Sequence, residues 1–347
     1  MKSRIRSLLP ALIYAATGLA HAAATDAPAC DTAASTACFF SFQPRSASGA
    51  LHFYASRDPA PDAAASGAAP TSALIAIHGH SHDADKTFDA ALKTVRQAGA
   101  LDSTLVVAPL FQVAPARAGR CSTAGVPEAR EGDLLWTCTS WAEGGAAVND
   151  AALTSFAALD ALVARLVARW PSVHTVTVAG FSAGAQMVQH SIGFANVPAG
   201  AKVTLRYVVA DPGTWLYFDP GRPQPADAGS CPEQNRWKYG TDGLPAALGR
   251  SAADARARYA AAEIHYLEGA LDDDAARGTA YRVLDRSCGA QAQGPYRLQR
   301  GLAYAAYDRT LLAPERQRQV VVVPGCAHDV ACVFPSDAAR ALLVPPR

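Results

Sequence analysis

Eight short apolar runs recur along the chain: CFFSF (38–42), ALHFYAS (50–56), ALIAIHG (73–79), STLVVAPL (103–110), HTVTVAG (174–180), TLRYVVAD (204–211), EIHYLEG (263–269) and QVVVVPG (319–325). Several are continuous rather than alternating, and they are rich in β-branched residues, which is the pattern of strands covered on both faces. Between them lie stretches with helical periodicity, the longest being VNDAALTSFAALDALVARLVARW at 148–170. Asn149 or Asp150 can cap that helix and Pro171 ends it. The first two runs are close enough in sequence to pair antiparallel, and the later strand–helix alternation calls for crossover connections. The pattern therefore predicts an α/β protein whose central sheet is mostly parallel with an antiparallel start and helices on both faces.

This order of elements resembles the α/β-hydrolase fold. In such sheets ligands bind beyond the carboxyl ends of the strands, so the loops that follow each strand are where chemistry is expected. No repeat period or long linker divides residues 23–347, which predicts a single domain. The Ala/Pro-rich stretch at 57–72 reads as a surface loop. The connection at 212–261, after the sixth strand, is long enough to form a lid or a substrate wall. Its Trp215 and Tyr217, with Trp141 earlier in the chain, are candidate substrate-binding residues.

The amino terminus changes the compartment. Lys2, Arg4 and Arg6 precede an apolar run and then small residues, so residues 1–22 read as a secretory signal cleaved after Ala22 in the Ala20-His21-Ala22 context. The run is too short to span a bilayer comfortably, so no stable membrane anchor is expected, and the mature protein is placed outside the cell or in the periplasm. Eight cysteines in such a chain predict disulfides. Local loops pair Cys30 with Cys38, Cys121 with Cys138 and Cys326 with Cys332, leaving Cys231 for Cys288. With 31 basic and 30 acidic residues the chain offers no electrostatic footprint for nucleic acid, and no cofactor is expected. Nothing in the sequence sets the oligomeric state.

Candidate chemistry centres on VAGFSAGAQ, where Gly180 and Gly184 flank Ser182 at a strand-to-helix junction. This is the pattern of a nucleophile elbow, a tight turn that lifts a serine oxygen above the sheet. A serine needs a base, and the base needs a carboxylate to fix its tautomer. Among the histidines after Ser182, His328 falls just past the last strand in PGCAHD, whereas His190 lies on a helix and His265 inside a strand. For the acid, Asp272 is the first choice in LEGALDDD, with Asp273 and Asp211 as alternatives. Oxyanion donors are expected at the backbone amides of Ala183 and His80. An ordinary histidine as base predicts turnover falling through about pH 6 to 7. Tyr296, Arg297 and Arg300 read as helix packing and surface ion pairs.

Beyond the fold, HGHSHDADKTF, WAEGG, SFAALDAL, VAGFSAGAQ, DPGTWLYFDPGRP, CPEQNRWKYG, YRLQRGLAY and VPGCAHDV are similar to blocks of secreted bacterial and fungal α/β-hydrolases related to carboxylesterases, from about residue 70 to 335. The resemblance implies a Ser182, Asp272, His328 triad acting on small or polymeric esters. Asp211 departs from it, standing where a smaller polar residue such as asparagine is expected. Two other function classes remain open at this point. His78, His80, His82 and Asp83 could form a metal-dependent hydrolase site, and a hydrolase scaffold could serve as a non-catalytic binding protein.

Overall fold

The computed structural model describes residues 30–60, 68–196, 202–224 and 230–345. The expected signal segment, 1–22, lies outside the described residues, as does part of the 57–72 loop. The expected strands form one eight-stranded sheet: β1 (Phe39–Phe42), β2 (Leu51–Ala55), β3 (Ser72–Ile77), β4 (Thr104–Leu110), β5 (Thr175–Phe181), β6 (Thr204–Ala210), β7 (Glu263–Gly269) and β8 (Val320–Val323). Their spatial order is β1-β2-β4-β3-β5-β6-β7-β8. β2 pairs antiparallel with both β1 and β4, and every other pairing is parallel.

Strand alternation divides the core into two layers. Ile75, Val107, Val178 and Val209 face one side, where Leu159, Leu162 and Leu166 of α2 (Ser155–Arg169) and Met187 of α3 (Ala183–Ser191) cover them. Leu74, Val106, Ala179 and Val208 face the other, against Phe88, Leu92 and Val95 of α1 (Ala84–Gln97). That two-sided burial explains why the strands read as continuous apolar runs. Three further helices, α4 (Ala252–Ala261), α5 (Arg297–Tyr307) and α6 (Asp337–Leu343), complete the flanks. No helix among the described residues is long and apolar enough to cross a membrane.

The 148–170 helix begins later than its periodicity suggests. Residues Asp150–Thr154 form a strand paired with Ala146–Ala147, and Thr154 caps α2 by accepting a hydrogen bond from Ala157 N at 3.1 Å. Both expected caps have other partners. Asn149 Oδ1 accepts from Leu135 N, and the Asp150 carboxylate accepts from Ser48 N. Long-range contacts thus hold the first turn of the apolar pattern in extended form.

Four disulfides join Cys30–Cys38, Cys121–Cys138, Cys231–Cys288 and Cys326–Cys332. The 212–261 connection is stitched down through Arg222, which is buried and donates to the carbonyls of Asp219, Gly221, Gln234 and Tyr239.

Candidate active site

The turn after β5 carries Ser182 at φ 58°, ψ −121°, a region that residues with a side chain rarely occupy. Its neighbours make that turn feasible. A Cβ on Gly180 would collide with the Gly184 carbonyl, and one on Gly184 would collide with the Ile77 and His78 carbonyls of the adjacent strand end. Ser182 occupies the position before α3 where a serine ordinarily caps the helix, yet its side chain makes no capping bond. Its Oγ instead lies 2.8 Å from His328 Nε2.

His328 follows β8, with its ring against Phe181 and its amide donating to Gly278 O. Nδ1 of the same ring lies 2.7 Å from Asp272 Oδ2. Asp272 is 1% exposed, while Asp273 and Asp274 beside it are exposed, so burial singles out Asp272, the first choice, from its two acidic neighbours. Burial also pushes the His328 imidazole down to about 4, aided by the charge of Arg297 and opposed by Asp272. The structure thus brings Ser182, His328 and Asp272 into one hydrogen-bonded chain. Such a chain can withdraw a proton from a hydroxyl and hold it on imidazole.

Asp211, the rival acid, is fully buried at the end of β6, and its Oδ1 accepts from Gly269 N at 2.7 Å. Arg297 and Glu268 complete the surroundings, and sequence reading gave neither a role here. Arg297 is buried rather than at the surface, donating from Nη1 to Asp272 Oδ1 at 3.3 Å and to Thr279 O at 2.6 Å. A signal existed in YRLQR: Arg297 and Arg300 fall at i and i+3 with Tyr304 on the buried face of α5.

His80 and Ala183 both line one cavity with the serine. Gly79 precedes His80 and stands against Ser182, and Ala183 opens α3, where an N–H has no intrahelical acceptor. Two cavities share His80, Ser182 and Val283 in their walls. The larger, about 480 Å³, runs along α1 past Lys86, Thr87 and Lys93. The smaller, about 230 Å³, is bounded by Glu143, Gln186, Gly213, Lys238 and Asp285.

The three aromatic candidates line neither cavity. Trp141 stacks on Phe111 beneath His78, Trp215 stacks on Tyr304 at 4.4 Å, and the Arg222 guanidinium lies over the Tyr217 ring. All three rings are buried in the core; for Trp215 and Tyr217 this follows because a long connection packed onto a sheet needs large apolar groups beneath it.

The histidine cluster is likewise not assembled as a metal site. Phe111 N–H donates to His78 Nε2, and His78 Nδ1–H donates to Gly79 O, so both ring nitrogens are engaged. Asp83 sits before α1 with Lys86 at 3.8 Å, and His82 Nδ1 meets Cys121 O. Among the described residues, the ligand-type groups that converge within 4.8 Å are Cys231, Glu233 and Cys288, and Asp211, Asp272 and His328.

Together, the strand order, the antiparallel start and the turn after β5 decide the architecture. The chain has the α/β-hydrolase fold. Among solved structures it is similar to poly(aspartic acid) hydrolase-1 from Sphingomonas sp. KT-1, with TM-score 0.58, 20% identity, and coverage of 90% of this chain and 98% of that one. It is also similar to a poly(3-hydroxybutyrate) depolymerase from Bordetella parapertussis, with TM-score 0.56, 17% identity, and coverage of 88% and 92%. No family model matches the chain, and no curated protein matches it.

Proposed function

We propose that this protein is a secreted or periplasmic serine hydrolase that cleaves carboxylic esters through an acyl-enzyme on Ser182. The observation that carries the reading is the chain of contacts from Ser182 Oγ through His328 to Asp272, 2.8 and 2.7 Å long, built on a strained strand-to-helix turn. In the first step His328 Nε2 takes the Ser182 proton as Oγ attacks the ester carbonyl, and the amides of His80 and Ala183 receive the developing oxyanion. The imidazolium, steadied by Asp272 at Nδ1, then protonates the departing alkoxide. In the second step His328 takes a proton from water as it attacks the acyl group, then gives that proton to Ser182 Oγ as the carboxylic acid leaves.

Two cavities meeting at one serine suit an ester with substantial groups on both sides of the scissile bond. One of the two similar solved structures is by name a depolymerase of a polyester, poly(3-hydroxybutyrate), which favours an oligomeric or polymeric ester over a small acetate. Gly213 and Lys238 come from the 212–261 connection, so this segment acts as a fixed wall of the smaller cavity. The four disulfides support an oxidising compartment, consistent with the signal sequence. A fluorophosphonate probe followed by p-nitrophenyl esters of graded chain length tests the reading. Labelling at Ser182 with a preference for longer acyl chains is expected, and absence of labelling would contradict it.

A further inference from the structure

Asp272 is not the only carboxyl group behind His328. A carboxylate oxygen of Asp211, one of Asp272 and a ring nitrogen of His328 all lie within 4.8 Å of one another. Asp211 is fully buried at φ 52°, held by its amide donating to Leu267 O at 3.0 Å and by Oδ1 accepting from Gly269 N at 2.7 Å. That turn does not require an acid, since asparagine tolerates the same backbone conformation and its single carbonyl oxygen would accept the same bond. The second oxygen, Oδ2, has no donor among the described residues.

Beside it stands Glu268, also fully buried, with neither carboxyl oxygen given a donor. The two side chains face each other, and α5 approaches Glu268 so closely that a Cβ on Gly301 would strike its carboxyl oxygen. Four charged or titratable groups therefore surround Asp211: Glu268 from β7, Asp272 after it, Arg297 from α5 and His328 after β8. One guanidinium cannot balance three buried carboxylates, and two apposed carboxyl groups are stable when they share a proton. Burial and the charge of Asp272 raise Asp211 to about 7, and burial raises Glu268 well above its usual range.

We propose that Asp211 is a positioning residue for His328, kept in reserve by a proton shared with Glu268 while Asp272 is charged, and able to orient the imidazole when Asp272 is neutralised. The inference rests on the serine-hydrolase reading. In an Asp272→Asn variant the proton stays on Glu268, Asp211 ionises, and its free oxygen faces the imidazolium formed when Ser182 is deprotonated.

The test compares kcat for one p-nitrophenyl ester, from pH 4 to 9, in the wild type, Asp272→Asn and Asp272→Asn/Asp211→Asn. Loss of a triad carboxylate ordinarily costs on the order of ten-thousand-fold. Here Asp272→Asn is expected to lose only about a hundredfold at pH 8, and the double variant to fall to roughly the full ten-thousand-fold loss. The acid limb separates positioning from mere packing. It stays at or above about 4 in Asp272→Asn, because ionised Asp211 then supplies the negative charge beside the imidazole that Asp272 supplied. Removing the Asp272 charge with no substitute would instead lower the imidazole further and move the limb down. A downward shift, or the full loss already in Asp272→Asn, overturns the proposal. This single variant leaves Asp211 and Glu268 intact, so the limb is readable even if the double variant unfolds. Ester turnover by Ser182→Ala would instead overturn the hydrolase reading itself.

Discussion

At the scale of single residues, the base proposed here works in an environment that disfavours its charge. Burial is the largest influence on His328 and Arg297 adds to it, so the ring is neutral, and able to accept a proton, at every pH above about 4. Turnover at saturating substrate should therefore stay level from neutral pH down to about 5 and fall as pH passes down through about 4. An acid limb at 6 to 7, the ordinary histidine range, would show the imidazole better solvated than the structure has it. The sequence placed His328 after the last strand but carried no measure of its desolvation. The same limit applies to Asp272, Asp273 and Asp274, which are identical in chemistry and differ in burial.

At the scale of elements, the strands were legible because two-sided burial writes itself as unbroken runs such as Thr104–Leu110 and Thr175–Phe181. The start of α2 was not, since the residues that occupy Asn149 and Asp150, namely Leu135 and Ser48, are distant in sequence. Thr154 is the cap the structure assigns, and Thr154→Ala should cost about 1 kcal/mol in urea unfolding, while Asn149→Ala leaves the helix cap itself intact. Equal unfolding midpoints for Thr154→Ala and the wild type would show the cap to be without weight. The turn after β5 was legible for a different reason: backbone crowding at Gly180 and Gly184 excludes any other residue, so it leaves a mark in sequence. Gly184→Ala should reduce soluble yield or lower the melting temperature by several degrees, because backbone carbonyls rather than a flexible side chain oppose the new methyl group.

At the scale of the whole molecule, the loops after β5, β7 and β8 bring together side chains 56 and 146 residues apart. Chain order made Ser182, Asp272 and His328 readable, but the arginine behind them and the core positions of Trp141, Trp215 and Tyr217 depend on packing between distant segments. The Cys326–Cys332 bridge closes a loop around His328 and limits its backbone freedom. The Cys326→Ser/Cys332→Ser variant should turn over ester more slowly, with Ser182 still reacting with a fluorophosphonate, since a displaced imidazole loses rate while the serine stays accessible. Unchanged turnover would mean that packing alone holds the loop. The central claim, that Ser182 is the nucleophile, is tested most directly by intact-mass measurement of fluorophosphonate-treated protein, wild type against Ser182→Ala, alongside ester turnover. One adduct is expected on the wild type, mapped to Ser182, with no adduct and no measurable turnover in the folded variant; an adduct or full turnover in Ser182→Ala would contradict a Ser182 nucleophile.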